Sequence, residues 1–160
     1  MQKITTFIMF NDQTDEAVNF YVSIFKNSKI VSASRYGEGG PGPKGTIMSA
    51  NFQLAGQEFI AYNGGPHFTF ADGISLYVSC ETQAEIDELW EKLSAGGEKG
   101  QCGWLKDKFG VSWQIVPPIL GELLGDPDAK KAGSVLQAML KMSKIDIEIL
   151  KQAYAHPSAE

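Results

Sequence analysis

CGWLKDKFGVSWQIVP, residues 102–117, joins a turn at Phe109-Gly110 to an apolar strand over residues 111–116. Val111, Trp113 and Ile115 recur at every second position, the period of a pleated strand with one face in a core. Ser112 and Gln114 fall between them and share the opposite face. A partner strand is expected over residues 101–106, which makes the stretch a hairpin. A glutamine in such a run either sits on a sheet face turned to water or lines a pocket. Periodicity leaves both readings open.

Working back from the hairpin, residues 74–80 form a strand and Thr82 with Glu85 forms a capping box. Ile86, Leu89, Trp90 and Leu93 follow at helical spacing, and Gly96-Gly97 stops the helix. The same order occurs earlier in the chain. Residues 4–10 form a strand, Asn11-Asp12-Gln13 a turn, and Thr14 or Asp12 caps a helix whose stripe is Ala17, Val18, Tyr21, Ile24 and Phe25. Strands are expected over residues 30–36, 46–54 and 58–63. The Gly- and Pro-rich GEGGPGPKG (37–45) forms a mobile loop after the first of them, and Gly56-Gln57 turns the last pair. A linker, NGGPHFTFADG, crosses to the second half. Phe20-Tyr21 and Leu89-Trp90 hold matching places in the two halves, so the repeat is one of pattern.

The tail reads as helical. Asp126 caps and Pro127 starts a helix striped by Val135, Leu136, Met139 and Leu140, and a last helix spans about 146–154. Such a tail seals a sheet or packs on a second subunit.

Composition narrows the function. The chain has 160 residues, 43% hydrophobic and 21% charged, which suits one domain or two small modules sharing a core. The net charge is -5 and Arg35 is the single arginine, which argues against nucleic acid as a partner. Apolar runs are far shorter than the roughly 20 residues of a membrane span. MQKITTFIMF has no long apolar h-region, so a cytoplasmic location is expected, with Cys80 and Cys102 reduced.

AVNFYVSIFKNSKI (17–30), NGGPHFTF (63–70), CETQAEIDELWEKLSAGG (80–97) and CGWLKDKFGVSWQIVP, with KIDIEIL in the tail, carry a resemblance. The chain resembles the PhnB-like branch of the vicinal oxygen chelate (VOC) superfamily, which includes glyoxalase I, extradiol dioxygenases and bleomycin-resistance proteins. The branch often bears the label demethylubiquinone methyltransferase. The resemblance implies an α+β fold of paired βαβββ modules, residues 1–118 in repeats of about 1–65 and 72–118. The helical extension, 119–160, then packs on the domain or on a dimer partner. It further implies a U-shaped cleft whose strands present His and Glu to a divalent ion acting as a Lewis acid.

This sequence departs from that donor pattern. The asp-x-x-gly motif and its following glutamate fall on Asp107, Gly110 and Gln114, so an amide stands in the carboxylate's place. Aligning Gly56 with Gly110 puts Ile60 at the equivalent place in the first repeat. No standard metal site is expected, and no cofactor. Glu58, His67, Cys80 and Cys102 are the only unconventional donors, and their spacing matches no zinc signature. The resemblance instead favours a cleft lined by Glu58, Ile60, Tyr62, Tyr77, Cys102, Trp104, Ser112 and Gln114. A methyltransferase using S-adenosylmethionine would need a Gly-rich turn opening a helix, and no glycine cluster here opens one. The expected function is binding of a small organic ligand by a homodimer. The alternative is a metal-dependent lyase, isomerase or dioxygenase with an atypical site.

Overall fold

The computed structural model describes residues 2–157; the last three residues of the expected tail, 158–160, and Met1 lie outside the described residues. The chain divides into two compact units, Met1–Thr69 and Phe70–Glu160. The tail belongs to the second.

In the first unit β1 (Thr6–Phe10) leads to α1 (Thr14–Ile24), then β2 (Lys29–Arg35), β3 (Ile47–Leu54) and β4 (Gln57–Asn63). The sheet order is β1-β4-β3-β2, with β1 parallel to β4 and the other pairs antiparallel. A parallel pair needs a long crossover, and here α1 with two further strands supplies it. Alternation along β4 sends Phe59 and Ala61 into the core with Ile8, Phe10, Ala50 and Phe52, beneath Ala17, Val18 and Tyr21 of α1. Phe52 and Phe59 stack at 5.5 Å between ring centroids.

Two local expectations change. The N-cap of α1 is Gln13, which makes no side-chain capping bond. The orphan N–H of Thr14 donates to Asn63 Oδ1 at 2.9 Å, and Asp15 Oδ2 accepts from the Ile47 N–H at 2.8 Å. Asn63, at the end of β4, thus does the work of a local cap, while Asp15 ties α1 to β3. The β3–β4 turn is Ala55-Gly56, one residue earlier than expected, with φ of 50° and 81°. Two positive φ values match the type I′ geometry that follows strand twist.

The second unit repeats the order. β5 (Leu76–Ser79) is followed by α2 (Gln83–Ser94), β6 (Glu98–Lys99), β7 (Trp104–Lys106) and β8 (Ser112–Val116), ordered β5-β8-β7-β6. Thr82 caps α2, its hydroxyl accepting from the Glu85 N–H at 3.2 Å. β6 was not expected, and β7 starts three residues later than the alternation suggested. Cys102 and Gly103 both have positive φ, 58° and 84°, which ends any extended strand there. Gly97 has a second purpose beyond stopping α2, since a Cβ at that position would collide with the Lys106 carbonyl.

Asp107 ties the β7–β8 hairpin. Only 2% exposed, its carboxylate accepts from the Phe109 N–H (2.9 Å), the Val111 N–H (3.0 Å) and the Trp113 indole N–H (2.8 Å).

The tail forms α3 (Pro118–Leu124), α4 (Ala129–Leu140) and α5 (Ile147–Ala155). α3 is an addition to the sequence reading. The cap of α4 is Asp128, which accepts from the Lys130 and Lys131 N–H groups, while Asp126 accepts from the Asp128 N–H and the Tyr154 hydroxyl. Val116, Leu120, Val135, Met142, Ile145 and Leu150 make one apolar cluster. Gln83 joins α2 to the tail twice, donating to the Ile145 carbonyl and accepting from the Ile147 N–H.

Replacing Asp107 by alanine strands three N–H donors, two of them in the backbone. Urea unfolding of Asp107→Ala should show a loss of about 3 kcal/mol or more, and Asp107→Asn a smaller one. A loss below about 0.5 kcal/mol for the alanine variant would contradict the role given to this carboxylate.

Candidate ligand-binding faces

Each sheet has one face under its helix and one open face. In the second unit the register Tyr77↔Gln114↔Trp104 places three side chains in one row across β5, β8 and β7. The next row contains Ser112, Lys106 and Glu98. Neighbouring strands lie about 4.8 Å apart, so the aromatic residues flank the glutamine at contact range. Tyr77 is 59% exposed; Gln114 and Trp104 are half-buried. Gln114 Nε2 donates to Ser75 Oγ at 2.9 Å, which fixes the amide across the face. Leu105, Trp113 and Ile115 point the other way, into the core. The sequence-derived residues Tyr77, Trp104, Ser112 and Gln114 therefore do share a face.

Lys106 was missed, because one lysine in a short strand carries no pattern. It pairs with Asp72 at 2.7 Å. That hydrogen bond, with the Asp72 and Glu98 charges, holds the Lys106 pKa above its ordinary value.

In the first unit the corresponding row is Phe7↔Ile60↔Asn51, and beside it runs Met9↔Tyr62↔Ser49. Glu58, Ile60 and Tyr62 lie on this open face as expected, Glu58 exposed at the strand's start. Phe7 and Tyr62 are in ring contact at 6.5 Å, and Phe7 is 52% exposed. Phe7 and Met9 escaped the sequence reading because Phe7, Ile8, Met9 and Phe10 form an unbroken apolar run without alternation. This face is apolar with a serine and amide border.

Cys102 is not part of the open face. Its thiol donates to the Met139 carbonyl at 3.5 Å and its N–H to the Met142 carbonyl, so it faces the tail. Cys80 is fully buried at the end of β5, and both cysteines are free thiols. Burial pushes the Cys80 pKa up to about 12, with Glu85 adding to the rise. His67 is exposed in the linker. Arg35 donates to the Gly45 carbonyl at 2.8 Å and lies 3.9 Å from Asp15 Oδ2, so it serves the loop after β2.

The donor set on these faces does not fit the superfamily's metal. The open sides of β1, β4, β5 and β8 carry Phe7 and Met9, then Glu58, Ile60 and Tyr62, then Ser75 and Tyr77, then Ser112 and Gln114. Each unit's open face thus has one exposed carboxylate, Glu58 in the first and Glu98 in the second, and no histidine, which makes a poor Lewis-acid site. Among the described residues no group of three or more His, Cys, Asp or Glu converges.

Residues 2–116 match the family described as 3-demethylubiquinone-9 3-methyltransferase. The chain belongs to this PhnB-like family. A PhnB protein from Bacillus cereus is 48% identical, covers 72% of this chain and 99% of its own, and superposes with a TM-score of 0.67. A protein from Pseudomonas aeruginosa is 22% identical over 73% of this chain and 98% of its own, with a TM-score of 0.62. The fosfomycin resistance protein FosX from Listeria monocytogenes is 15% identical over 76% and 97%, with a TM-score of 0.52. The last two share the fold alone, and that fold is the VOC fold. No curated protein matches the chain. The family match ends before α3, so the helical tail lies beyond it.

The thiolate is the reactive form of cysteine, and at pH 8 Cys80 is both buried and protonated. Brief iodoacetamide treatment of the native chain should alkylate Cys102 well before Cys80 by peptide mass spectrometry. Equal labelling would contradict the burial of Cys80. The unfolded thiol ionises near 9.0 while the folded one keeps its proton to about 12, so rising pH across that window favours unfolding.

Proposed function

We propose that this chain is a cytoplasmic binding protein for a small organic ligand, held on the open sheet faces without the superfamily's divalent ion. The Tyr77–Gln114–Trp104 row carries this reading. Small-ligand sites are mostly apolar with a few fixed polar groups, and the row offers two aromatic walls around an amide already oriented by Ser75. Gln114 stands on the terminal strand where the superfamily pattern has its carboxylate. A neutral amide is a weak metal ligand and a good hydrogen-bonding group for an organic molecule.

Methyl transfer, the activity in the family's description, lacks support at the helix starts. S-adenosylmethionine is held by a glycine-rich strand-to-helix turn in the common binding fold. The junctions here are Asn11-Asp12-Gln13 before α1, Cys80-Glu81-Thr82 before α2 and Pro117 before α3. No helix among the described residues is long and apolar enough to cross a membrane.

A thermal-shift screen of small organic acids, amines, phenols and amides beside manganese, nickel, iron and zinc salts tests the reading. A ligand at about 100 times its Kd should raise Tm by roughly 5–10 °C in a chain of this size. Gln114→Ala and Trp104→Ala should each reduce that shift. Metal ions alone raising Tm, with no organic hit, would replace this reading with the metal-dependent enzyme.

The same reading makes the working form a homodimer, as is common in the superfamily. In its support, Phe7, Met9 and Tyr62 stand exposed on the open face of the first unit. Sedimentation at micromolar concentration should show about twice the monomer's 17.4 kDa; a monomer would overturn the dimer.

A further inference from the structure

The turn from β6 into β7 runs from Gln101 to Trp104 and is closed by the Trp104 N–H, which donates to the Gln101 carbonyl at 3.1 Å. Its central residues, Cys102 and Gly103, have φ of 58° and 84°, the type I′ arrangement of a tight hairpin. Asparagine, aspartate and glycine take the first of these positions readily, because a short polar side chain or none at all tolerates the left-handed backbone. A cysteine has no such relief within the turn, so contacts from outside must hold it there.

The tail supplies those contacts. The Cys102 N–H donates to the Met142 carbonyl at 2.9 Å and the Gly103 N–H to the Ser143 carbonyl at 2.8 Å. The Cys102 thiol donates to the Met139 carbonyl at 3.5 Å, and the Ser143 hydroxyl donates to the Gly100 carbonyl at 2.6 Å. These four bonds join residues 139–143 to residues 100–103. The approach is close: a Cβ at Gly103 would lie 2.9 Å from the Ile115 carbonyl and 3.1 Å from the Ile145 side chain. Gln83 fixes the next part of the tail from α2.

The residue that follows this turn is Trp104, one aromatic wall of the open-face row. Its carbonyl accepts from the Gly100 N–H, and the Gly103 carbonyl accepts from the Ile115 N–H, each at 2.8 Å. A change in the turn therefore changes how the indole stands beside Gln114. The family match stops at residue 116, so every group that holds the turn from the tail side lies beyond it. We propose that the tail is the positioning element of the open face: Met139, Met142 and Ser143 impose the left-handed turn at Cys102 and through it set the stance of the Trp104 wall. The inference rests on the ligand-binding reading of that face and adds the segment that controls its shape.

The test uses the full chain, with indole N–H signals read from a proton–nitrogen correlation spectrum and the Trp104 signal identified by its loss in Trp104→Phe. Trp90 and Trp113 are each 2% exposed, so their signals report whether the fold is intact. Ser143→Ala removes the bond to the Gly100 carbonyl. Hydrogen exchange at the Cys102 and Gly103 amides should then speed by about 3- to 10-fold, one hydrogen bond's worth of local opening, while the β8 amides stay unchanged. The Trp104 signal should move and those of Trp90 and Trp113 should not. Ser143→Thr keeps the hydroxyl and should restore both readouts.

Proximity alone can move a signal, so the deciding background is Cys102→Asn, with Cys102→Gly beside it. Either substitution lets the turn hold its positive φ unaided, and there Ser143→Ala should shift the Trp104 signal by no more than about half as much. No shift in Ser143→Ala, a shift that Ser143→Thr fails to restore, or one undiminished in both Cys102 backgrounds overturns the positioning role and leaves the open-face reading intact. That reading falls on a different result, a thermal-shift screen without an organic hit, and the tail's role at a ligand site falls with it.

Discussion

The hydrogen bonds of Asp107 are the constraint on which the second unit's candidate face depends. A buried carboxylate is costly unless its oxygens are fully engaged. Here three N–H groups, from Phe109, Val111 and the Trp113 indole, supply that engagement. The result fixes the register of β8 against β7, and register decides which residues share a face. A slip of one residue would send Gln114 into the core and Trp113 to the open side. The aspartate of the family's asp-x-x-gly motif is therefore a structural element here, independent of whatever the open face binds.

The two units apply one topology to different chemistry. Both run helix-crossed parallel strands beside two antiparallel ones, in the same spatial order. The helix-covered faces are alike in being apolar, with Ile8, Phe10, Ala50, Phe52, Phe59 and Ala61 in one and Leu105, Trp113 and Ile115 in the other. The open faces diverge: Phe7, Ile60 and Asn51 in one row, Tyr77, Gln114 and Trp104 in its counterpart. Core positions are limited by packing, while open-face positions are free to take whatever a ligand requires. That freedom lets one topology carry two different open faces in the same chain.

The tail is tied to the second unit by specific polar contacts as well as by burial. Gln83 uses both ends of its amide on α5's approach, and the Cys102 and Gly103 N–H groups donate to Met142 and Ser143 carbonyls. Those last two residues have the positive φ values that shorten β7. The same backbone feature that breaks the strand turns its N–H groups toward the tail.

Much of this architecture was legible in the residues themselves. Period-two alternation in 111–116 and 46–54, the helical stripes of α1 and α2 and the glycine turns specified element types. They also placed Ser112 with Gln114, and Glu58 with Ile60 and Tyr62, because a strand's side chains must alternate. Repeat order and the resemblance then indicated the pairing of modules. What remained closed to the sequence was set by contacts between distant positions. The role of Asn63 at the start of α1, the turning of Cys102 toward the tail, the two-residue strand β6 and the row joining Tyr77 to Trp104 all depend on register across strands. Local periodicity says which way a side chain points; only the tertiary hydrogen-bond pattern decides what it points beside.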